Sequence, residues 1–216
     1  MVNFLGQDIY LDRENLEYIP SQESYKSCLV PFANCLAEPV PEDTLATSTI
    51  FQIVDVRNTS VSVMSVIELL IDALDANEGF QDHYRNTRRR PHRIAVNAID
   101  LDAEHDRQSD QREDESDFTP GYKDTYRLTL QDCFGHLCYA YEAEPLSFLR
   151  NTRNKGLFRV TMGSKLLINA GAKISFNTLH LKNSDVNFLR GQIQRMNANL
   201  YQRKLKELKE EIGYEG

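Results

Sequence analysis

Tyr126-Arg127-Leu128-Thr129-Leu130-Gln131, Asp132-Cys133-Phe134-Gly135-His136 and Leu137-Cys138-Tyr139-Ala140-Tyr141-Glu142 are the consecutive segments on which the fold turns. In the first, apolar and polar residues alternate, which sends every second side chain to one face of a half-buried strand. The second holds Gly135 among polar residues and reads as a turn. The third is rich in aromatic residues and reads as the returning strand of a hairpin. Its alternation puts Leu137, Tyr139 and Tyr141 on one face. With Leu137 among them, inward packing of that face is expected ahead of base stacking.

Toward the C-terminus, Pro145 ends the hairpin and suits the first turn of a short helix through Arg150. Leu157–Val160, Lys165–Ile168, Lys173–Phe176 and Thr178–Leu181 are strand-like, with Gly171 as a turn or bulge. From Gly191 to Ile212 the pattern becomes helical. Ile193, Met196, Leu200, Leu205, Leu208 and Ile212 share one broad stripe, and Arg195, Arg203, Lys204, Lys206 and Lys209 occupy the polar side. A helix with one apolar face must pack on something.

Toward the N-terminus, Ser48–Val56 is β-branched and aromatic, hence a strand. Apolar residues at 63, 66, 67, 70, 71 and 74 then follow helical spacing, and Gly79 is a plausible stop. Residues 80–124 are unlike the rest. A basic run holds Arg88, Arg89, Arg90 and Arg93, and Ile94–Leu101 could form a short strand. Asp102–Asp117 is acidic and too poor in apolar groups to offset the entropy of ordering. A loop of this length is either functional or disordered. Before residue 45, Pro20, Pro31, Pro39 and Pro41 break any long helix. A short helix over 22–36, with Ser21 as N-cap, is expected there within an extended arm.

The whole reads as mainly β with helices. Five strands with a small helix between the third and fourth is the layout of a five-stranded OB-fold barrel. The expected organisation is an arm over 1–45, an OB-fold domain over 46–190 and a C-terminal amphipathic helix over 191–216 packed on the barrel. A long insertion, 57–124, falls between strands 1 and 2.

The chemistry-bearing signals are sparse. Among 216 residues there is no phosphate loop, nucleophile elbow or zinc-protease motif, so an enzyme is not expected. Cys28, Cys35, Cys133 and Cys138 have spacings unlike zinc ligands, and His83, His92, His105, His136 and His180 are scattered. No metal or cofactor is expected. No apolar run approaches the ~18 residues that would span a bilayer, so no membrane partner is expected. No secretory signal is visible, which makes an intracellular protein the default.

Charge is strongly segregated within a net of -7. Residues 1–84 carry 3 basic and 14 acidic residues, 85–98 carry 5 arginines and no acid, 99–117 carry 2 basic and 9 acidic residues, and 118–216 carry 15 basic and 9 acidic residues. Such a chain offers faces of opposite sign, either as solvated surfaces or to charged partners. OB-folds commonly bind single strands on strands 2 and 3. Tyr139 and Tyr141, with Arg88, Arg89, Arg90 and Arg93, are the candidate DNA contacts; a solvated loop tip explains the arginines equally well.

Several segments, in order, carry a family resemblance. They are Leu128-Thr129-Leu130-Gln131-Asp132, Tyr141-Glu142-Ala143-Glu144-Pro145-Leu146, Gly163-Ser164-Lys165-Leu166-Leu167-Ile168, Leu179-His180-Leu181-Lys182-Asn183-Ser184-Asp185-Val186 and Phe188-Leu189-Arg190-Gly191-Gln192-Ile193. Together they resemble the barrel of the RecQ-mediated genome instability protein 1 family, in its shorter, fungal-type form with one OB-fold. The chain departs from that pattern at Asn183-Ser184, where the family has Pro-Glu, and in lacking an apparent three-helix module over 1–45.

The resemblance implies a non-catalytic subunit of a complex with topoisomerase III and a RecQ-family helicase. That complex dissolves double Holliday junctions and decatenates DNA, which implies the nucleus. The barrel would dock on the topoisomerase, with Lys165 carried over by the Gly163-Ser164-Lys165 match. The insertion would reach the DNA gate, through Val66, Leu70 and the arginines at 88–90. The alternative is an independent single-strand-binding OB-fold protein.

Overall fold

Alternation in the hairpin is realised residue for residue. β3 (Tyr126–Gln131) buries Tyr126, Leu128 and Leu130, and β4 (Leu137–Glu142) buries Cys138 and Ala140. This corrects the expected orientation of Leu137, Tyr139 and Tyr141, which lie on the outer face. The register decides it: Leu128 stands opposite Ala140 and Leu130 opposite Cys138, and opposed residues share a face. Two large leucines inside leave room for two small partners, so the tyrosines go out.

The computed structural model describes residues 3–32, 43–83, 124–150 and 157–214, with the backbone alone over 76–83. The other strands are β1 (Asp43–Thr44), β2 (Thr49–Asn58), β5 (Lys165–Ile168), β6 (Lys173–Ser175), β7 (Thr178–Leu181) and β8 (Val186–Arg190). The helices are α1 (Val63–His83), α2 (Gln194–Asn197) and α3 (Leu200–Glu211). One sheet runs β1-β6-β7-β4-β3-β2-β5-β8, with β4 and β7 parallel and every other pair antiparallel. The expectation of five strands is replaced by eight segments. A short β1–β6 edge is added, and the last strand is split into β7 and β8 around a 3-10 turn at Asn183–Asp185.

That turn forces the sheet to curl. β7 and β8 are five places apart in the sheet order. In a flat sheet they would lie ~24 Å apart at ~4.8 Å per strand. The link from Leu181 to Val186 reaches roughly 17 Å even when extended. The sheet therefore wraps round, and its inner face holds Phe51, Ile53, Leu128, Leu130, Leu146, Leu149, Leu166, Ile168, Leu179 and Leu181.

β2 carries a bulge between Ile53 and Asp55. The extra residue, Val54, shifts the parity of the strand. Phe51 and Ile53 point inward before it, and Val56 points inward after it. The outward side chains are then Ile50 and Gln52 in the first half, and Asp55 and Arg57 in the second.

The N-terminal arm is docked on the barrel. Residues 4–6, 13–15 and 20–28 wind as 3-10 turns, and Phe4 and Ile9 are buried against Ile50 and Cys133. The expected helix over 22–36 is thus corrected: Pro20–Cys28 is 3-10, with Pro20 in its first turn and Ile19, not Ser21, at the cap. Leu157–Val160 forms bends, not a strand. The expected helix from Gly191 is also corrected, because β8 and Gly191 precede a break at Asn199. Asn199 adopts a left-handed conformation, φ 50°, which asparagine tolerates. Just before it, the Asn197 amide donates to the Met162 and Ile193 carbonyls and accepts from the Met162 N–H, which fixes α2 on the barrel.

Two carboxylates from the motif at 142–146 hold the turns together. Glu142 accepts from the Tyr126 and Leu146 amides and, bidentately at 2.7 and 3.0 Å, from Arg150. Glu144 accepts from the Asn183 amide and side chain, while Asn183 Oδ1 accepts from Ser147 N–H. Asn183 is thus the link between the two turns. Glu142→Ala leaves the Arg150 guanidinium and two amides without their acceptor. It should cost ~3 kcal/mol, read as a lowered midpoint in urea unfolding.

Candidate functional site

The insertion leaves and rejoins the barrel at one point. Thr59 N–H donates to the Thr125 carbonyl, and Thr125 N–H donates to Ser60 Oγ. Arg150 adds a hydrogen bond to the Asp124 carbonyl. Immediately beyond, Ser62 Oγ accepts from Ser65 N–H and caps the start of α1. Helical spacing then places Ile67 and Leu70 on one side of α1, where they are buried with Leu208 of α3. Val63, Val66, Ile71, Leu157, Phe158, Tyr201 and Leu205 pack around them.

α3 is held over the second half of β2 by charge. Lys204 pairs with Asp55 at 2.9 Å, and Arg57 pairs bidentately with Glu211 at 2.9 and 3.2 Å. Between α1, α3 and the roots lies a cleft of ≈ 320 Å³, lined by Val61, Val63, Val66, Leu69, Phe158 and charged groups of both signs.

These contacts correct the expected role of Leu70. It is wholly buried between α1 and α3, so it belongs to the joint that fixes the helix and offers no surface to a partner. Val66 is half-buried and lines the cleft. One apolar stripe serves an internal helix and a docking helix equally, so the sequence could not separate the two uses.

A second surface is the outer face of β3, β4 and β7. Its register sets Arg127 beside Tyr141 and Tyr141 beside His180, with Thr129, Tyr139 and Thr178 in the next row. Tyr139 is 48% exposed and lies under the Arg127 guanidinium, 4.7 Å from its ring centre. Tyr141 is half-buried. Arg88, Arg89, Arg90 and Arg93 lie outside the described residues, so no geometry links them to these tyrosines.

Lys165 is placed where the sequence did not expect it. It is wholly buried, which corrects its assignment to an exposed docking surface. It stands opposite Gln52 and donates to Gln52 Oε1 at 3.0 Å and to the Gly163 carbonyl at 2.6 Å. Gln52 Oε1 also accepts from the Ile9 amide, so strand, lysine and arm meet at one oxygen. Nearby, Asp8 accepts from the Tyr10 and Leu11 amides and pairs with Arg195. Burial works to raise the Asp8 carboxyl, but those amides and Arg195 together hold it below its ordinary value. Desolvation pushes the Lys165 ammonium down to about 7, against the pull of Asp8 and Asp12.

Among the described residues, no group of three or more His, Cys, Asp or Glu could hold a metal ion. None of the described helices is long and apolar enough to cross a membrane.

Residues 25–204 match a family model described as RMI1, N-terminal OB-fold domain. The match starts within the arm and ends in α3, so it includes every strand of the sheet. No curated protein matches the chain.

Lys165 makes a pH prediction. In the unfolded chain it titrates near 10.5 and in the fold near 7, so between those values the unfolded chain binds the extra proton and stability rises with pH. From about pH 7 to 9 the protein should gain on the order of 2 kcal/mol by urea unfolding. Lys165→Met should flatten that rise, and an unchanged slope would remove Lys165 as its source.

Proposed function

The chain belongs to the RMI1 family, and from that membership we propose that it is a non-catalytic subunit of a complex with topoisomerase III and a RecQ-family helicase. In this reading it acts in the nucleus, in homologous recombination and DNA repair, where the complex decatenates DNA and dissolves double Holliday junctions. The observation that carries the reading is the anchored insertion. Its roots are joined at Thr59 and Thr125, and its first helix is packed on α3. An element fixed at its base delivers binding energy to a partner with little loss to its own ordering.

The insertion would act on the topoisomerase gate. It can favour an open gate only by binding the open state more tightly than the closed one. The topoisomerase would dock on the barrel beside the roots, where Val66 and the cleft lie. The basic and acidic blocks of 85–117 would then face a partner of mixed charge.

A second reading is favoured by one observation, the exposed Tyr139 under Arg127. An aromatic ring beside a cation on strands 2 and 3 of an OB-fold suits a stacked base and its phosphate. The chain would then act as an independent OB-fold protein that binds single-stranded DNA by itself.

Replacing 84–123 by a Gly/Ser linker separates the insertion from the barrel. The melting temperature and co-purification with topoisomerase III should be kept, while stimulation of decatenation falls about tenfold, ~1.4 kcal/mol. Full stimulation by the replaced chain would sink the gate reading. For the second reading, Tyr139→Ala should weaken oligothymidine binding in fluorescence anisotropy by ~1–3 kcal/mol; equal affinity would dismiss it.

A further inference from the structure

We propose that the hairpin end of the barrel, where Tyr10 of the arm packs on Gly135 and Arg13 lies over Phe134, so that Leu11 and Leu137 are their chain neighbours, is a separate protein-docking site that takes a basic segment with large apolar anchors. Tyr10, Leu11, Phe134 and Leu137 are 44%, 58%, 42% and 57% exposed, respectively. Single exposed apolar residues are ordinary, but a cluster of large ones marks an interaction surface.

The cluster is built, not incidental. The Tyr10 ring packs over Gly135, where an added Cβ would come within 2.7 Å of it and where φ is +91°. Only glycine allows both the turn and the approach. Arg13 lies over the Phe134 ring at 4.4 Å. Buried Asp132 fixes the turn beneath: its Oδ1 accepts from the Phe134 and His136 amides, and its Oδ2 accepts from the Phe32 amide. Two distant segments are thereby held rigid while presenting Tyr, Phe and Leu to solvent. Preorganised aromatic anchors are what tight interfaces use.

Charge selects the occupant. The exposed acids Asp12 and Glu14 flank Arg13, whose guanidinium lies over Phe134, so the rim carries two negative charges against one positive, while Asp8 is already paired with Arg195. An acidic rim repels phosphates, which argues against nucleic acid. In a symmetric dimer the same acids would face each other, which argues against a second copy. A basic segment is attracted to the rim and can seat its apolar side chains on the cluster.

The site is also distant from the insertion. β3 runs from Tyr126, next to the insertion root, to Gln131, next to the hairpin turn. Its length puts the two ends ~17 Å apart. One partner can therefore hold the insertion side while another segment holds the hairpin end.

The test uses the full chain and a random peptide display library, which requires no assumption about partners. Enriched peptides should be basic, carry at least two large apolar residues and weaken with salt. Phe134→Ser with Leu137→Ser should reduce their affinity at least tenfold by anisotropy, with the melting temperature kept because both residues are exposed. The chain with 84–123 replaced should bind the peptides as well as wild type, whether or not the gate reading holds. The proposal is overturned if no peptide is enriched, if enriched peptides are neutral or acidic, or if the double variant binds them normally. Loss of self-association or of oligothymidine binding in that variant would equally overturn it.

Discussion

At Gln52 the strand β2 changes partners. Thr49 to Gln52 pair with β5, while Gln52 to Asn58 pair with β3, so this one residue is opposed by both Lys165 and Gln131. The Val54 bulge follows at once and rotates the rest of the strand. A strand that hands over from one neighbour to the next while twisting cannot lie in a flat sheet, so the curl of the barrel begins here. The Gln52 side chain is fully buried and its single oxygen receives both the Lys165 ammonium and the Ile9 amide. Removing that acceptor would leave the buried Lys165 amine without one of its two hydrogen-bond acceptors and release the Ile9 amide of the arm together.

The same parity shift divides what covers the barrel. Before the bulge, outward side chains meet the arm; after it, Asp55 and Arg57 meet α3. The arm thus stays with the hairpin end, through Tyr10 on Gly135 and Arg13 on Phe134. α3 stays with the insertion root, through Leu208 on Ile67 and Leu70. Two surfaces of different chemistry follow, an acid-rimmed apolar cluster at one end and a cleft of mixed charge at the other.

Much of this was legible because it is local. Period-2 alternation marked β3 and β4 with correct bounds, and Lys165–Ile168 and Thr178–Leu181 were likewise read as strands. Helical spacing marked α1, and the motif residues around Glu142 and Lys165 carried the family. The misreadings share a cause. Which face of an alternating strand turns inward depends on the partner strand: Leu130 opposite Cys138 turns Cys138 in and sends Tyr139 outward, against the expectation from alternation alone. Whether Leu70 meets a partner or α3 depends on a helix about 130 residues away. The arm looked unorganised because its order comes from Ile50, Gln52 and Cys133, not from its own periodicity.

By itself, therefore, the sequence determined the hairpin strands, two of the later strands, the helix that begins at Val63 and the family, because these rest on short-range periodicity and on motifs read in order. Only the tertiary structure decided that Lys165 is an interior amine, that Leu70 is a joint and that Tyr10 of the arm packs on the hairpin turn at Gly135 while Leu11, Phe134 and Leu137 stay exposed. Each of those outcomes depends on contacts between segments far apart in the chain. Burial, charge compensation and exposure are properties of such contacts, and no single segment carries them.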